Sequence, residues 1–523
     1  MNYADLFRVT LPETVLEAAA LVVLLVDLGL LRGAAQQVRR AVAALVGVAG
    51  CGAAYGALQF EGRAGLSFDG STLLAAGGFA QVAQSGILLL TALTLLLVID
   101  SDLRRHAGEY VAVLLMAASG GLLIAAAQDL LVIFIGLELL SLGLYILTAF
   151  AKNSGKSAEA ALKYYLFGGM SAAFLLFGFS YFYGLGGTTS IAGIELAISR
   201  SGPSPLLYVA WILVVAGLGF KVAAVPFHLW APDAYEGAPA PAAAFIASVS
   251  KVASFALLVT LSLNWLMPGV SLAGAGSALE QLARQYSQTW PRLATILLVV
   301  ATASILWGNL AALVQVSVRR LLAYSAIAHA GYILLGIATV RAYTGEGSAL
   351  AFYAAAAAPA ARSAGAVLYY VLTYGLTTIG AFGVVAVVEQ ATGSDRMDAF
   401  MGLHKRNPLL AAILLVLFLS LAGIPPLVGF WAKFNLFAAV LGVSAGVVPF
   451  ALVALAVAMS AVSLYYYLQV LKRAYVMAAV EETPLVARPV SLAVLLAIAA
   501  AVLLLGCFPA LLQNWIGSFV PTL

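Results

Sequence analysis

Apolar runs of about 20 residues follow one another along nearly the whole of this 523-residue chain. Each is long enough, at 1.5 Å per residue, to cross a hydrocarbon core of roughly 30 Å as a helix. The pattern predicts fourteen spans, at about 12–31, 41–60, 79–99, 110–127, 129–150, 160–184, 205–225, 241–265, 293–314, 322–340, 364–388, 408–437, 447–470 and 490–511. They are numbered one to fourteen in that order. The alternating pattern of an outer-membrane barrel is absent. The predicted fold is therefore an all-α polytopic membrane protein, one integral domain over 1–523. The first run carries Glu13, Glu17 and Asp27 and no small-residue cleavage site, so it reads as a retained helix rather than a signal peptide. The alanine-rich stretch 351–366 reads as an external loop, as does 266–292.

Two spans carry breakers in their middle. Span seven has Lys221 shortly before Pro226; span twelve has Pro425–Pro426 ahead of Lys433. Proline removes a helical hydrogen bond and clashes with the preceding turn, so both spans are expected to break. Such breaks survive in a membrane only where the freed backbone faces protein or water. They lie five spans apart. If spans four to eight (110–265) repeat as nine to thirteen (293–470), the odd number of crossings inserts the second copy upside down, an arrangement that marks ion sites in transporters.

Composition supports the membrane reading. Only 9% of residues are charged and 63% are hydrophobic, where a soluble protein carries about 25% charged residues. Fifteen Lys and Arg residues fall in the connections after odd-numbered spans: Arg32, Arg39, Arg40, Arg104, Arg105, Lys152, Lys156, Arg319, Arg320, Arg396, Lys405, Arg406, Lys472, Arg473 and Arg488. Seven fall in the even connections and at the two ends. The positive-inside rule places the odd connections in the cytoplasm and both termini on the outer side. Cys51 and Cys507 lie in apolar runs and support neither a disulfide framework nor a cysteine metal cluster. No Walker, GxGxxG or CxxCH motif appears, so nothing points to a nucleotide, a haem or a nucleic acid on this chain.

The remaining charges sit where they are costly. Glu138, Lys163, Lys221, Lys251 and Lys433 lie inside spans, and an ionisable group at the bilayer centre costs roughly 2.5–3.5 kcal/mol on insertion scales. Glu138 in span five reads as a proton-binding group or as a structural partner for a lysine. An ammonium removed from water holds its proton less tightly, which suits Lys221, Lys251 and Lys433 to proton release near neutral pH; snorkelling is the plainer reading. Lys163 follows Glu159 by four residues, the spacing of a helical ion pair. His228 and His329 have side chains able to relay protons, or simply to pack.

Several segments together resemble the antiporter-like membrane subunits of respiratory complex I and their Mrp-type relatives. They are 109–142, AALKYYLFGG (160–169), FKVAAVPFHLWAPDAYEGAP (220–239), AYSAIAHAGY (323–332) and GIPPLVGFWAKF (423–434). PDAYEGAP and a lysine in the broken span twelve are most similar to the N-type subunits. The resemblance implies a proton-translocating subunit of a bacterial inner-membrane NADH–quinone oxidoreductase, partnered by other complex I membrane subunits and by lipid. It implies that Glu138 and Lys221 form a proton-exchanging pair modulated by Lys163. Lys251 is then the central lysine, Lys433 the distal one, and His329 part of the hydrophilic axis. NADH, FMN, iron–sulfur clusters and quinone are implied for other subunits, and no cofactor for this chain. An Mrp-type cation/proton antiporter subunit is the alternative.

Overall fold

In the computed structural model the chain is a bundle of helices with one short antiparallel hairpin, Leu66–Phe68 against Ser71–Leu74. The structure describes residues 7–60, 66–68, 71–102, 106–201, 204–264, 276–338, 349–443, 446–479 and 483–520. Arg63, Arg104, Arg105 and Arg341 of the charge pattern lie outside them. Among the described residues, eleven helices are long and apolar enough to cross a membrane.

Predicted spans one, seven and twelve take other forms. Span one is an α-helix, Leu11–Leu25, that widens into a π turn, Val26–Leu30. The turn buries Asp27, which accepts two hydrogen bonds from the Arg39 guanidinium at 2.7 and 2.6 Å. Span seven consists of two helices, Pro205–Lys221 and Trp230–Gly237. Span twelve likewise splits into Pro408–Ala422 and Val428–Val443. Their first halves start alike, with a capping side chain followed by proline. Ser204 Oγ accepts from Leu207 N–H at 3.3 Å, and Asn407 Oδ1 from Leu410 N–H at 2.9 Å. Proline at the first helical position sacrifices only a donor that had no helical partner.

Two predicted loops are in part helix. The helix of span nine begins at Gly276 and that of span eleven at Ala349. Alanine has the highest helix propensity of any residue, so the stretch 351–366 extends the adjoining span rather than ending it. Span seven also continues past its predicted end, because the chain re-enters a helix at Trp230 once the proline is passed.

The breaks are built differently. In span seven Ala223 takes a left-handed conformation (φ 57°), and Val225 N–H donates to Ser304 Oγ of span nine at 2.8 Å. In span twelve Gly423 takes φ 89°, and Gly429 N–H donates to Ser420 Oγ at 3.2 Å. Each break thus finds partners on neighbouring helices or on its own first half. Spans eight, ten and eleven form the centre, and the most apolar window of span eight is 100% buried. Span thirteen lies at the rim, with 17% of its window buried.

Gly423 combines two constraints: its positive φ, and a Cβ that would stand 2.9 Å from Lys433 Cδ. Gly423→Ala is expected to cost about 1 kcal/mol for the backbone alone, and more because Lys433 must move. The measurement is the thermal midpoint of the purified assembly; an unchanged midpoint would contradict this account of the break.

Candidate functional site

The C-terminal end of a helix leaves carbonyls without donors and carries a partial negative charge. Both broken spans bring such an end into the middle of the bundle, and both ends meet a lysine. Lys251 of span eight donates to Val222 O at 3.2 Å, the carbonyl just past Pro205–Lys221. It also donates to Ala326 O of span ten at 2.7 Å. Lys433 folds back across its own break, donating to Leu421 O at 3.1 Å, Ala422 O at 2.8 Å and Ser460 Oγ of span thirteen at 2.8 Å. Those are all three of its donors. Both lysines are buried, at 2% and 6% exposure.

Lys221 is buried as well, at 7% exposure, and does not reach the interface. Its ammonium donates to Ser141 Oγ at 2.5 Å and lies 5.6 Å from the centroid of the Phe220 ring. The Ser141 hydroxyl in turn donates a hydrogen bond to Leu137 O. Ser141 stands one turn beyond Glu138 on the same face of span five. Glu138 itself is half-buried and forms no ion pair among the described residues. The expected Glu138–Lys221 pair is thus in an open arrangement, with serine holding the lysine.

His329 lies on span ten three residues after Ala326, whose carbonyl holds Lys251. Its Nδ1 is 2.7 Å from Tyr370 Oη. One turn further, Tyr332 packs edge-on against His329, with centroids 5.8 Å apart. The Tyr332 ring in turn faces the Lys433 ammonium at 5.5 Å. One face of span ten, residues 326, 329 and 332, therefore joins Lys251 to Lys433. Asn309 Nδ2 donates to Tyr332 Oη at 3.0 Å, and Tyr466 Oη donates to Asn309 Oδ1 at 3.2 Å. These polar groups are mutually satisfied inside an apolar bundle, which holds their geometry.

The other two candidates lie apart from this row. His228 is buried in the break of span seven, its ring 6.2 Å from that of Trp307. Lys163 pairs with Glu159 at 2.7 Å, the spacing expected, and with Asp233 at 2.8 Å. Ser141, Ser460, Tyr332, Asn309 and Tyr466 were not among the sequence candidates. Ser141 and Tyr332 had a local signal, their i,i+3 spacing from Glu138 and from His329; the rest come together through packing.

Buried ammonium groups gathered at the ends of two broken helices are the arrangement of a transporter-like membrane protein. A family model described as NADH:quinone oxidoreductase/Mrp antiporter matches residues 127–279, 266–359 and 347–461. NADH-quinone oxidoreductase subunit N 2 of Acidobacterium capsulatum is 47% identical over 99% of both chains. Subunit N 1 of Roseiflexus castenholzii is 40% identical over 88% of this chain and 82% of its own. A chain of respiratory complex I from Thermus thermophilus with bound aureothin superposes with a TM-score of 0.73 at 31% identity, over 96% of this chain and 98% of that one. A chain of the Mrp complex from Dietzia superposes with a TM-score of 0.78 at 22% identity, over 98% of this chain and 52% of that one; it shares the fold. This chain belongs to the NADH-quinone oxidoreductase subunit N family of antiporter-like membrane proteins.

Ser141→Ala removes the acceptor that holds Lys221. A hydrogen bond to a charged group is worth about 1.5–3 kcal/mol, so proton transport by the assembled complex is expected to fall roughly tenfold. A normal rate in proton-uptake assays on membrane vesicles would remove Ser141 from the site.

Proposed function

We propose that protons cross this subunit along the row Lys221, Lys251, His329 and Lys433, with Glu138 setting the charge at its start. The subunit is an antiporter-like, proton-translocating component of an NADH-quinone oxidoreductase and works among other membrane subunits. The observation that carries the route is the sequence of contacts: Lys221 adjoins Val222, Val222 O holds Lys251, and one face of span ten leads from Lys251 to Lys433.

The chemistry follows from solvation. A buried ammonium needs acceptors in place of water, and a buried neutral amine does not. Moving a lysine between carbonyls and a neighbouring hydroxyl or water thus changes which of its two forms is favoured. Opposite unit charges about 4 Å apart attract by roughly 4 kcal/mol at an effective dielectric of 20. Closing Glu138 onto Lys221 would hold a proton there, and opening the pair would release it toward Lys251. The present arrangement, with Lys221 on Ser141, corresponds to the open state. A cavity of about 400 Å³ on the predicted outer side is lined by Arg362, Tyr369, Asn435 and Gln513 among mostly small and apolar residues, and Asn435 stands two residues past Lys433 in span twelve.

In this reading the energy comes from electron transfer to quinone in other subunits, which hold the redox cofactors. The chain sits in a bacterial inner membrane with both termini on the outer side. The two halves act as inverted repeats, 110–265 and 293–470. Supporting this, the first half-helix of each broken span begins with a capped proline and ends at carbonyls taken by a lysine.

Lys251→Ala and Lys433→Ala are expected to abolish proton pumping in assembled complex, while Glu138→Gln lowers it several-fold. The check is proton uptake against NADH oxidation in inverted vesicles. Full pumping by either lysine variant would make the lysines mere structural ties. Orientation is tested separately: single cysteines placed at Arg396 and Lys472 should react with an impermeant maleimide only from the cytoplasmic side. Labelling from the outer side would reverse the topology.

A further inference from the structure

Asp233 and Glu236 lie one turn apart on the short second half of span seven, Trp230–Gly237. Each carboxylate is shared between two cations from two different helices. Asp233 accepts from Lys163 of span six at 2.8 Å and from Arg320 of span ten at 2.6 Å. Glu236 accepts from Lys156, in the first turn of the helix Gly155–Gly186 that forms span six, at 3.1 Å and from the same Arg320 nitrogen at 3.0 Å. The neighbouring Arg319 caps this half-helix, donating to Ala238 O at 2.7 Å and to Glu236 O at 3.3 Å, and pairs with Glu389 of span eleven. At its other end the half-helix is tied to the first half through Trp230 Nε1 and Phe220 O, at 2.9 Å. Trp230 also stacks flat on Tyr164 of span six at 4.2 Å.

Asp233 is 26% exposed and Arg320 30%, and ion pairs so exposed add little to stability. Their geometry has a more specific consequence. Two extended residues, Ala238 and Pro239, link the half-helix to span eight, whose second helix, Val249–Asn264, carries Lys251. Arg320 is six residues before Ala326, whose carbonyl holds Lys251. Six residues are about 9 Å of helix. Both contacts therefore hold span ten: the ionic one ties it to the half-helix that precedes span eight, the other to Lys251, three residues past Ser248, where span eight is interrupted.

We infer that the Asp233–Arg320 contact is a positioning latch, which sets how closely span ten approaches Lys251 and couples that approach to the charge on Lys163. The inference rests on the lysine route proposed above. When Asp233 holds both Lys163 and Arg320, spans six, seven and ten are locked and Lys251 keeps its acceptor on Ala326. If the charge balance around Lys163 changes, Asp233 shifts between its two cations. Span ten then moves relative to Lys251. Asp233 and Arg320 act through Lys251 and exchange no proton with it.

The test uses assembled complex in inverted vesicles and reads protons pumped per NADH oxidised, a ratio that simple loss of complex does not change. Asp233→Asn and Arg320→Gln are each expected to lower the ratio about threefold or more, the range over which coupling residues act. The double variant is expected to be no worse than either single one, since both remove one contact. If a single variant fails to assemble, Asp233→Glu and Arg320→Lys replace it and are expected to lower the ratio about twofold through altered reach. An unchanged ratio, or a double variant whose loss is the product of the two single losses, overturns the latch. Lys251→Ala separates the two levels. Pumping lost there but unaffected at Asp233 sinks the latch alone, and pumping retained at Lys251 sinks the route beneath it.

Discussion

A broken helix and a buried lysine each solve the other's problem in this bundle. Breaking a helix inside a membrane leaves carbonyls without donors, and a lysine inside a membrane lacks acceptors. Val222 O with Lys251, and Leu421 O and Ala422 O with Lys433, satisfy both needs at once. The helix dipole strengthens the match, because the ammonium meets the negative end. Serine hydroxyls complete the set of acceptors, Ser141 for Lys221 and Ser460 for Lys433.

Span ten makes the contacts on which the proposed route rests. Its first turn carries the two arginines that grip the short half of span seven. Its middle supplies the Ala326 carbonyl, His329 and Tyr332 in successive turns. The buried hydroxyl and amide groups of Tyr370, Asn309 and Tyr466 fix it from the sides. A helix pinned this way is held along its length, because the packed interior around it has little free volume. The rim helices, span thirteen among them, carry no such constraint along most of their surface.

Much of the fold was legible because a membrane admits few solutions. Apolar runs of the right length predicted a helix at each of the eleven long apolar helices among the described residues. The prolines marked both breaks. The places where reading failed have physical causes. The alanine-rich 351–366 region looked like a loop, yet alanine favours helix, and span eleven starts at Ala349. The end of span seven was missed because Trp230–Gly237 is too short and polar to register as a span. Asp233 and Glu236 were visible in PDAYEGAP, but their partners stand on spans six and ten, more than 60 residues away in either direction.

Hydrophobic length, charge asymmetry and proline placement are local properties. From them alone came the class of fold, the number of predicted spans, the two breaks and the identity of the buried lysines. What those lysines touch is decided by which helices pack together, and no local pattern encodes that. The Glu138–Lys221 pair shows the difference. Sequence places both groups at membrane depth; only the packing of spans five and seven brings Ser141, rather than Glu138, against the ammonium. Hydrogen-bond distance is set to tenths of an ångström by tertiary contacts, and the chemistry of proton transfer depends on that scale.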